Sequence, residues 1–306
     1  MRRTERRPMM KLDEAILDFE TQLRANQRSP HTISSYLRDL GEFQSWLGAE
    51  RGPTDTRRLD AAALCRFATA RCVTHTEEGR SKRASSIDKV KMSLRAFFRY
   101  LVDAGVIATN PARVLKYRRD HRVPEVLSDV ERERLRGVLA KTEGWRGARD
   151  AAVVALLLGT GMRLASLVAL DAADVSIEDR AVLIRRLKGG GETRKALSET
   201  VRARLAAWIM ARLKLPTNRP ELFVSGQMRR LSSRQVQVIV RRALAAAGIE
   251  RRLTVHGLRH TFATALYART KDILLVQRAM DHRSVASTLV YAQVSDARVA
   301  AAVAGM

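Results

Sequence analysis

Four stripes of apolar residues at helical spacing fill the first hundred positions of this chain, and they restrict it to a helical bundle. Leu12, Ile16, Phe19 and Leu23 recur at steps of four, three and four, which places them on one side of a helix over residues 11–26. Ser29-Pro30 interrupts that segment. Ile33, Tyr36, Leu40, Phe43 and Leu47 then form the stripe of a second helix over 31–47, closed by Gly52-Pro53. Leu64 and Phe67 mark a third over 59–71, and Val90, Leu94, Phe97 and Leu101 a fourth over 85–102. Aromatic residues are only 5% of the chain, and its apolar bulk is Ala, Leu and Val, which favours helix.

Asn110-Pro111 closes the fourth helix, and the stretch KYRRDHRVPEVL (116–127) is basic, lacks apolar periodicity and carries Pro124. A helical domain over 1–115, a linker over 116–124 and a second domain over 125–306 are expected. In the second domain Ser128 precedes Asp129 and Glu131, an N-cap with an acidic first turn, starting a helix to about residue 140. Residues 149–158 are apolar almost all round and read as a buried helix. Gly159-Thr160-Gly161 ends it and presents Arg163 just before another apolar segment, 164–170. The period then changes to that of strands over 175–177, 181–186 and 193–197, with Lys188-Gly189-Gly190-Gly191 forming the turn of an antiparallel hairpin. Helices over 198–214 and 232–247 follow, the second ending at Gly248. The fold class is mainly α, with a small antiparallel β-sheet in the second domain.

Lys and Arg number 56 against 32 Asp and Glu, for a net charge of +24 and a pI near 11.2. The 46 Arg and 10 Lys carry the skew that a GC-rich genome produces. It is therefore the excess over acids that identifies nucleic acid as the partner. Arg38, Lys82, Arg83, Lys89, Lys91 and Arg95 lie opposite the apolar stripes, and Arg118 and Arg119 lie in the linker. Together they are the candidate DNA contacts, although each alone reads as an ordinary solvated charge. Cys65 and Cys72 form neither a disulfide framework nor a zinc motif, which fits a reducing cytoplasm. The basic N-terminus has no apolar signal core, and the longest apolar run, 151–158, is too short to span a bilayer. A cytoplasmic, nucleoid-associated protein without membrane contact is expected.

The chemistry is concentrated in residues 256–291. His256, Arg259 and His260 share one face of a helix, and His282 and Tyr291 follow. With Arg163 and Lys188 they make a set suited to phosphodiester attack. Two planar guanidiniums neutralise the non-bridging oxygens. A histidine takes up the nucleophile's proton, and a lysine or histidine protonates the leaving oxygen. A tyrosyl ester keeps the bond energy needed to rejoin the strand.

The stretches TGMRLASLVAL (160–170), RLKGGGETRKAL (186–197), HGLRHTFAT (256–264) and MDHRSVASTLVYAQV (280–294) resemble those of the tyrosine recombinases, in particular Xer-like and phage-integrase-like members. SPHTISSYLRDLGEFQSWL (29–47) and KMSLRAFFRYLVDAGVIATNPARVL (91–115) are similar to the same family's SAM-like core-binding domain, so that the likeness covers about 11–295. The resemblance implies a site-specific recombinase that cleaves and rejoins DNA through a 3′-phosphotyrosine and a Holliday junction, with neither metal nor ATP and no cofactor. It implies that Arg163 and Arg259 grip the scissile phosphate and His282 bonds it. Lys188 would protonate the 5′-oxygen, His256 would assist proton transfer, and Tyr291 would be the nucleophile. His260 would be structural, in support of the others. It implies duplex DNA with an inverted-repeat core site as substrate. It also implies a cyclic tetramer on two duplexes, of this chain alone or with a related recombinase, closed by an apolar C-terminal segment that docks on the neighbouring protomer.

One position departs from the pattern. The third residue after the first arginine is usually acidic in the family and orients the site; here it is Ser166, and Asp171 or Asp174 are the nearby acids that could act in its place. Three other readings remain open on the residues alone. A metallohydrolase would use His256 and His260 with Asp281 or His282, although Gly257 stands where its glutamate belongs. A DNA-binding relative without catalysis and a type IB topoisomerase-like activity are the other two.

Overall fold

Ser29-Pro30, which ends the first apolar stripe, also starts the second helix. The Ser29 hydroxyl accepts from the Thr32 amide and Pro30 takes the first helical position. The computed structural model describes residues 10–117, 125–185, 191–282 and 284–292, and the chain divides into a unit of residues 1–121 and one of 122–306. The first unit contains α1 (Leu12–Ala25), α2 (Pro30–Ala49), α3 (Ala61–Thr69), the single turn α4 (Arg71–Thr74) and α5 (Ala84–Asp103). The four stripes are buried in one cluster, with Ile16 and Tyr36 packed at its margin. Phe43 meets Phe67 at 5.0 Å and Phe19 meets Phe97 at 5.6 Å between ring centroids. The buried Asp39 of α2 accepts from the Ser93 hydroxyl of α5 at 2.7 Å, a polar tie through an apolar bundle.

The third segment departs from expectation. The Asp60 side chain caps the Ala63 amide, so helix begins at Ala61, and Ala70 is extended (φ −61°, ψ 153°), so the helix stops before Arg71 and restarts as one turn. That step lets Val73 enter the core.

The second unit is built around α7 (Gly144–Thr160), in which every residue from Ala151 to Leu157 is buried. Around it lie α6 (Asp129–Ala140), α8 (Leu164–Ala169), α9 (Glu199–Arg212), α10 (Ser233–Ala246) and α11 (Val255–Thr270). Serines begin three of them: Ser128, Ser198 and Ser232 accept from the third helical amide, and Ser128 and Ser232 form capping boxes with Glu131 and Gln235. The short α12 (Ile273–Ala279) packs on α11 and is followed by the 3-10 turns Val285–Ser287 and Leu289–Tyr291.

The sheet is antiparallel in the order β1 (Val175–Ser176), β2 (Ala181–Ile184), β3 (Thr193–Ala196). Val182 pairs with Lys195, and both are buried. A lysine therefore points inward from a strand that carries Arg194 on its other face. Lys188, at the expected turn, lies outside the described residues, as do Arg118, Arg119 and the C-terminal segment from 293.

Candidate active site

Helix α7 ends on a left-handed glycine, and this turn places the first arginine. Gly161 has φ +61°, and a Cβ there would lie 2.4 Å from Cδ1 of Phe262. Only glycine fits the turn without strain or collision. Two residues on, Arg163 takes the cap position of α8 and its guanidinium donates to the Asp281 carbonyl at 3.0 Å. Arg259, on the buried face of α11 and only 4% exposed, donates to the carbonyls of Gly161 and Met280. Burial first, then the neighbouring Arg163, lower its pKa to about 10 against the opposing effects of Tyr291 and Asp281. It stays cationic at neutral pH.

Lys195 reaches the same place from β3. Its ammonium donates to the Ala279 carbonyl at 2.5 Å and to Oδ1 of Asp281 at 2.7 Å. Three successive carbonyls at the end of α12, those of Ala279, Met280 and Asp281, thus each accept from a different cation. These are unsatisfied groups at the negative end of a helix, where cations belong.

Helix α11 presents the histidines on the face that carries Arg259. The rings of His256 and His260 meet edge to face, with centroids 4.3 Å apart. Nδ1 of His260 lies 2.6 Å from the Tyr291 hydroxyl. Tyr291 is buried beside Ala263, Val276 and Met280, and His282 lies nearly parallel to its ring at 6.5 Å, with Nδ1 2.9 Å from the Thr288 hydroxyl. Burial followed by cationic or imidazole neighbours pushes His260 and His282 down to about 4, so both are neutral at pH 7. His256, exposed at the rim, is lowered by partial desolvation and by Arg259 and Arg163. Burial raises the Tyr291 phenol, and Arg259 opposes that rise. The site combines a protonated phenol, neutral imidazoles and fixed cations, which suits attack on an anionic ester.

Five of the six expected catalytic residues, Arg163, His256, Arg259, His282 and Tyr291, therefore meet in one place, while the sixth, Lys188, lies outside the described residues. Two participants, Lys195 and Asp281, stand outside the expected catalytic set. Lys195 could have been found from the period of two, which puts it on the same strand face as Thr193 and Leu197 and away from Arg194. Asp281 is the carboxylate that faces the cluster. Asp171 and Asp174, the nearby acids that could act for the one missing at 166, are engaged with other cations: Asp171 pairs with Arg230 and Asp174 with Arg185. Ser166 is buried on α8. Gly257 packs closely: a Cβ there would lie 2.7 Å from the Leu253 side chain and 3.3 Å from the Glu125 carbonyl, so a glutamate would force Leu253 to shift.

Comparison with known proteins decides the family. Residues 125–298 match the phage integrase family and residues 16–105 match the phage integrase N-terminal SAM-like domain. The chain belongs to the phage integrase family. It is a tyrosine site-specific recombinase, an enzyme that breaks and rejoins DNA strands. It is 30% identical over 286 residues to the tyrosine recombinase XerC of Alcanivorax borkumensis, covering 91% of this chain and 88% of that one. Its fold is similar to that of the XerH site-specific recombinase bound to difH substrate in a pre-cleavage complex, with a TM-score of 0.72 at 22% identity over 96% of this chain and 84% of that one. A lambda integrase dimer bound to a COC′ core site is similar with a TM-score of 0.68 at 18% identity, over 93% and 96%.

In this recombinase the expected DNA contacts of the first unit separate by what they touch. Arg83 and Lys89 are exposed at the start of α5 and make no ion pair among the described residues. Arg38 is exposed but pairs with Asp39, and Lys82 donates to the Cys72 carbonyl at 2.5 Å and lies 3.6 Å from Glu42. Lys91 donates to Asp88 and to the Lys116 carbonyl, and Arg95 donates to the Leu115 carbonyl while lying over the Tyr117 ring. The last two hold the segment that leaves the domain. Among the described residues no helix is long and apolar enough to cross a membrane.

Proposed function

We propose that Tyr291 attacks the scissile phosphorus of a core site held by Arg163 and Arg259. The P–O5′ bond breaks and a 3′-phosphotyrosine forms. The phenol's proton passes to the histidines of α11, and the departing 5′-oxygen takes a proton from Lys188. His282 adds a hydrogen bond to the phosphate. The observation that carries this reading is the convergence of two guanidiniums and the Tyr291 hydroxyl, through His260, on the end of α12. The arginines already donate to carbonyl oxygens there, acceptors of the same kind as phosphate oxygens.

Strand exchange on this reading takes place in a cyclic tetramer on two duplexes with inverted-repeat sites, in the cytoplasm at the nucleoid. A groove of about 650 Å³ between α6, α7, α9 and α11, lined by Leu127, Leu139, Val201, Phe262 and Leu266 together with Arg132, Arg136, Arg204 and Arg269, is on this reading the acceptor for a neighbour's C-terminal segment. That segment carries Val299, Ala300 and Val303. Deleting 296–306 then lowers synapsis and strand exchange while single-site binding is retained; unchanged recombination overturns the docking.

The deciding experiment traps the enzyme on nicked duplexes prepared from the DNA of its own genome and recovers the covalently bound sequence. An adduct that disappears in Tyr291→Phe supports the reading. Occupancy of a specific site without any adduct makes the protein a binder that has lost catalysis.

A further inference from the structure

The buried ion pair between Lys195 and Asp281 has no part in the proton and phosphate chemistry described above, yet it lies under it. Both side chains are nearly fully buried, at 8% and 12% exposure. A buried pair of this kind is costly to assemble, and losing one partner leaves the other an uncompensated buried charge. Here it joins two segments that the chemistry needs together. Lys195 sits on β3, paired with Val182 of β2. Asp281 sits between Met280, whose carbonyl receives Arg259, and His282.

Asp281 is also held in an unusual backbone state. Its φ is +49°, a left-handed conformation that an L-residue other than glycine adopts at a cost. Its own carbonyl accepts from Arg163. Its carboxylate is the anion whose charge opposes the lowering of Lys195, Arg259 and His282 together. A short polar turn is thus held by Lys195 through its carboxylate and by Arg163 and Arg259 through its carbonyls.

The geometry points to Lys195 and Asp281 as a positioning pair that sets the spacing of Arg163, Arg259 and His282. The pair supplies from β3 and the α12 turn the carboxylate that Ser166 does not supply from α8. This inference rests on the reading of the cluster as a cleavage site. Neither residue touches the reacting atoms; they act through the arginines and His282.

Asp281→Asn and Lys195→Met remove each charge while keeping the shape, and the double variant removes both. Single-turnover adduct formation is measured at saturating duplex, using the nicked site recovered by trapping, well below each variant's melting temperature. Each single variant is expected to slow adduct formation by between about tenfold and a hundredfold, the scale of a small misplacement of reacting groups. DNA affinity stays within about threefold, because the phosphate contacts that dominate affinity remain. The double variant is expected to be no slower than the slower single variant, since the two act as a unit. Wild-type cleavage rates in both single variants, with only their melting temperatures lowered, reduce the pair to a structural role and overturn the proposal. Losses that multiply in the double variant overturn it as well. No adduct from the wild-type chain overturns the functional reading instead, so the two failures are told apart.

Discussion

The hydroxyl of Tyr291 lies 2.6 Å from Nδ1 of His260, across thirty-one positions of sequence. At neutral pH the imidazole is neutral, because burial and nearby charges hold it near 4, and the phenol is protonated, because burial raises it. The contact is then a phenol donating to an imidazole whose other nitrogen carries the ring proton. His260 is thus the imidazole in contact with the Tyr291 hydroxyl, which we propose makes it the base that takes up the phenol's proton, and His256 stands one ring further out.

His260→Ala should slow adduct formation by about 10²-fold, the lower end of what a positioned base contributes, with DNA affinity retained. A comparison with His256→Ala orders the two roles. Wild-type cleavage by His260→Ala would confine the contact to the DNA-free enzyme.

Acid should loosen the second unit in a definite window. His260 and His282 titrate near 4 in the folded chain against an ordinary value of 6.5. Between those values the unfolded chain binds more protons, so stability falls as pH falls from 6.5 towards 4 and is flat above. Glu131, lowered to about 2 chiefly by its hydrogen bond from Arg251, adds a separate loss between its ordinary 4.5 and 2. Melting temperatures between pH 7.5 and 4.5 should decline, and the decline should flatten in a His260→Asn, His282→Asn double variant. An equal decline in that variant would assign the effect elsewhere.

The helices could be read from the chain because burial on a helix repeats with its turn and because serines mark the starts. Phe19, Phe43, Phe97 and Ser128 stand where their spacing puts them. The break at Ala70 could not, since its extended backbone follows from packing Val73 into the core. In the site, Arg259 and His260 could be read from a spacing within one helix. The pairing of Lys195 with Asp281 could not: the strand period turns Lys195 inward, but its partner lies 86 positions away.

Gly161→Ala should cost about 1–3 kcal/mol in stability, the range for strain at a positive φ, because Phe262 and Met280 also crowd the new Cβ. It also displaces the carbonyl that accepts from Arg259. Denaturant unfolding and adduct formation should therefore both respond. A stable variant that cleaves normally would show that the turn relaxes.

Arg83→Ala and Lys89→Ala should each reduce the slope of log affinity against log salt by about 0.9, the loss of one phosphate contact. Lys91→Ala and Arg95→Ala should instead lower the melting temperature, because those side chains bind the carbonyls of Lys116 and Leu115. Salt titrations of DNA binding separate the two pairs. Equal slopes for all four variants would remove α5 from the DNA interface.

Ser166 tests how completely the site has replaced its missing acid. It is the third residue of α8, whose cap is Arg163, a position where an acidic side chain favours the positive end of a helix. On the inference drawn above, Asp281, paired with Lys195, supplies the carboxylate of the site. Ser166→Asp should therefore leave cleavage intact or raise it, although it buries one more charge. The informative comparison is Asp281→Asn in the wild-type and the Ser166→Asp backgrounds. The rate lost on neutralising Asp281 should be smaller in the Ser166→Asp background, because a second anion then faces the arginines. Abolished cleavage in folded Ser166→Asp would mean that the serine has a role of its own. An Asp281→Asn loss identical in both backgrounds would mean that the two positions do not communicate.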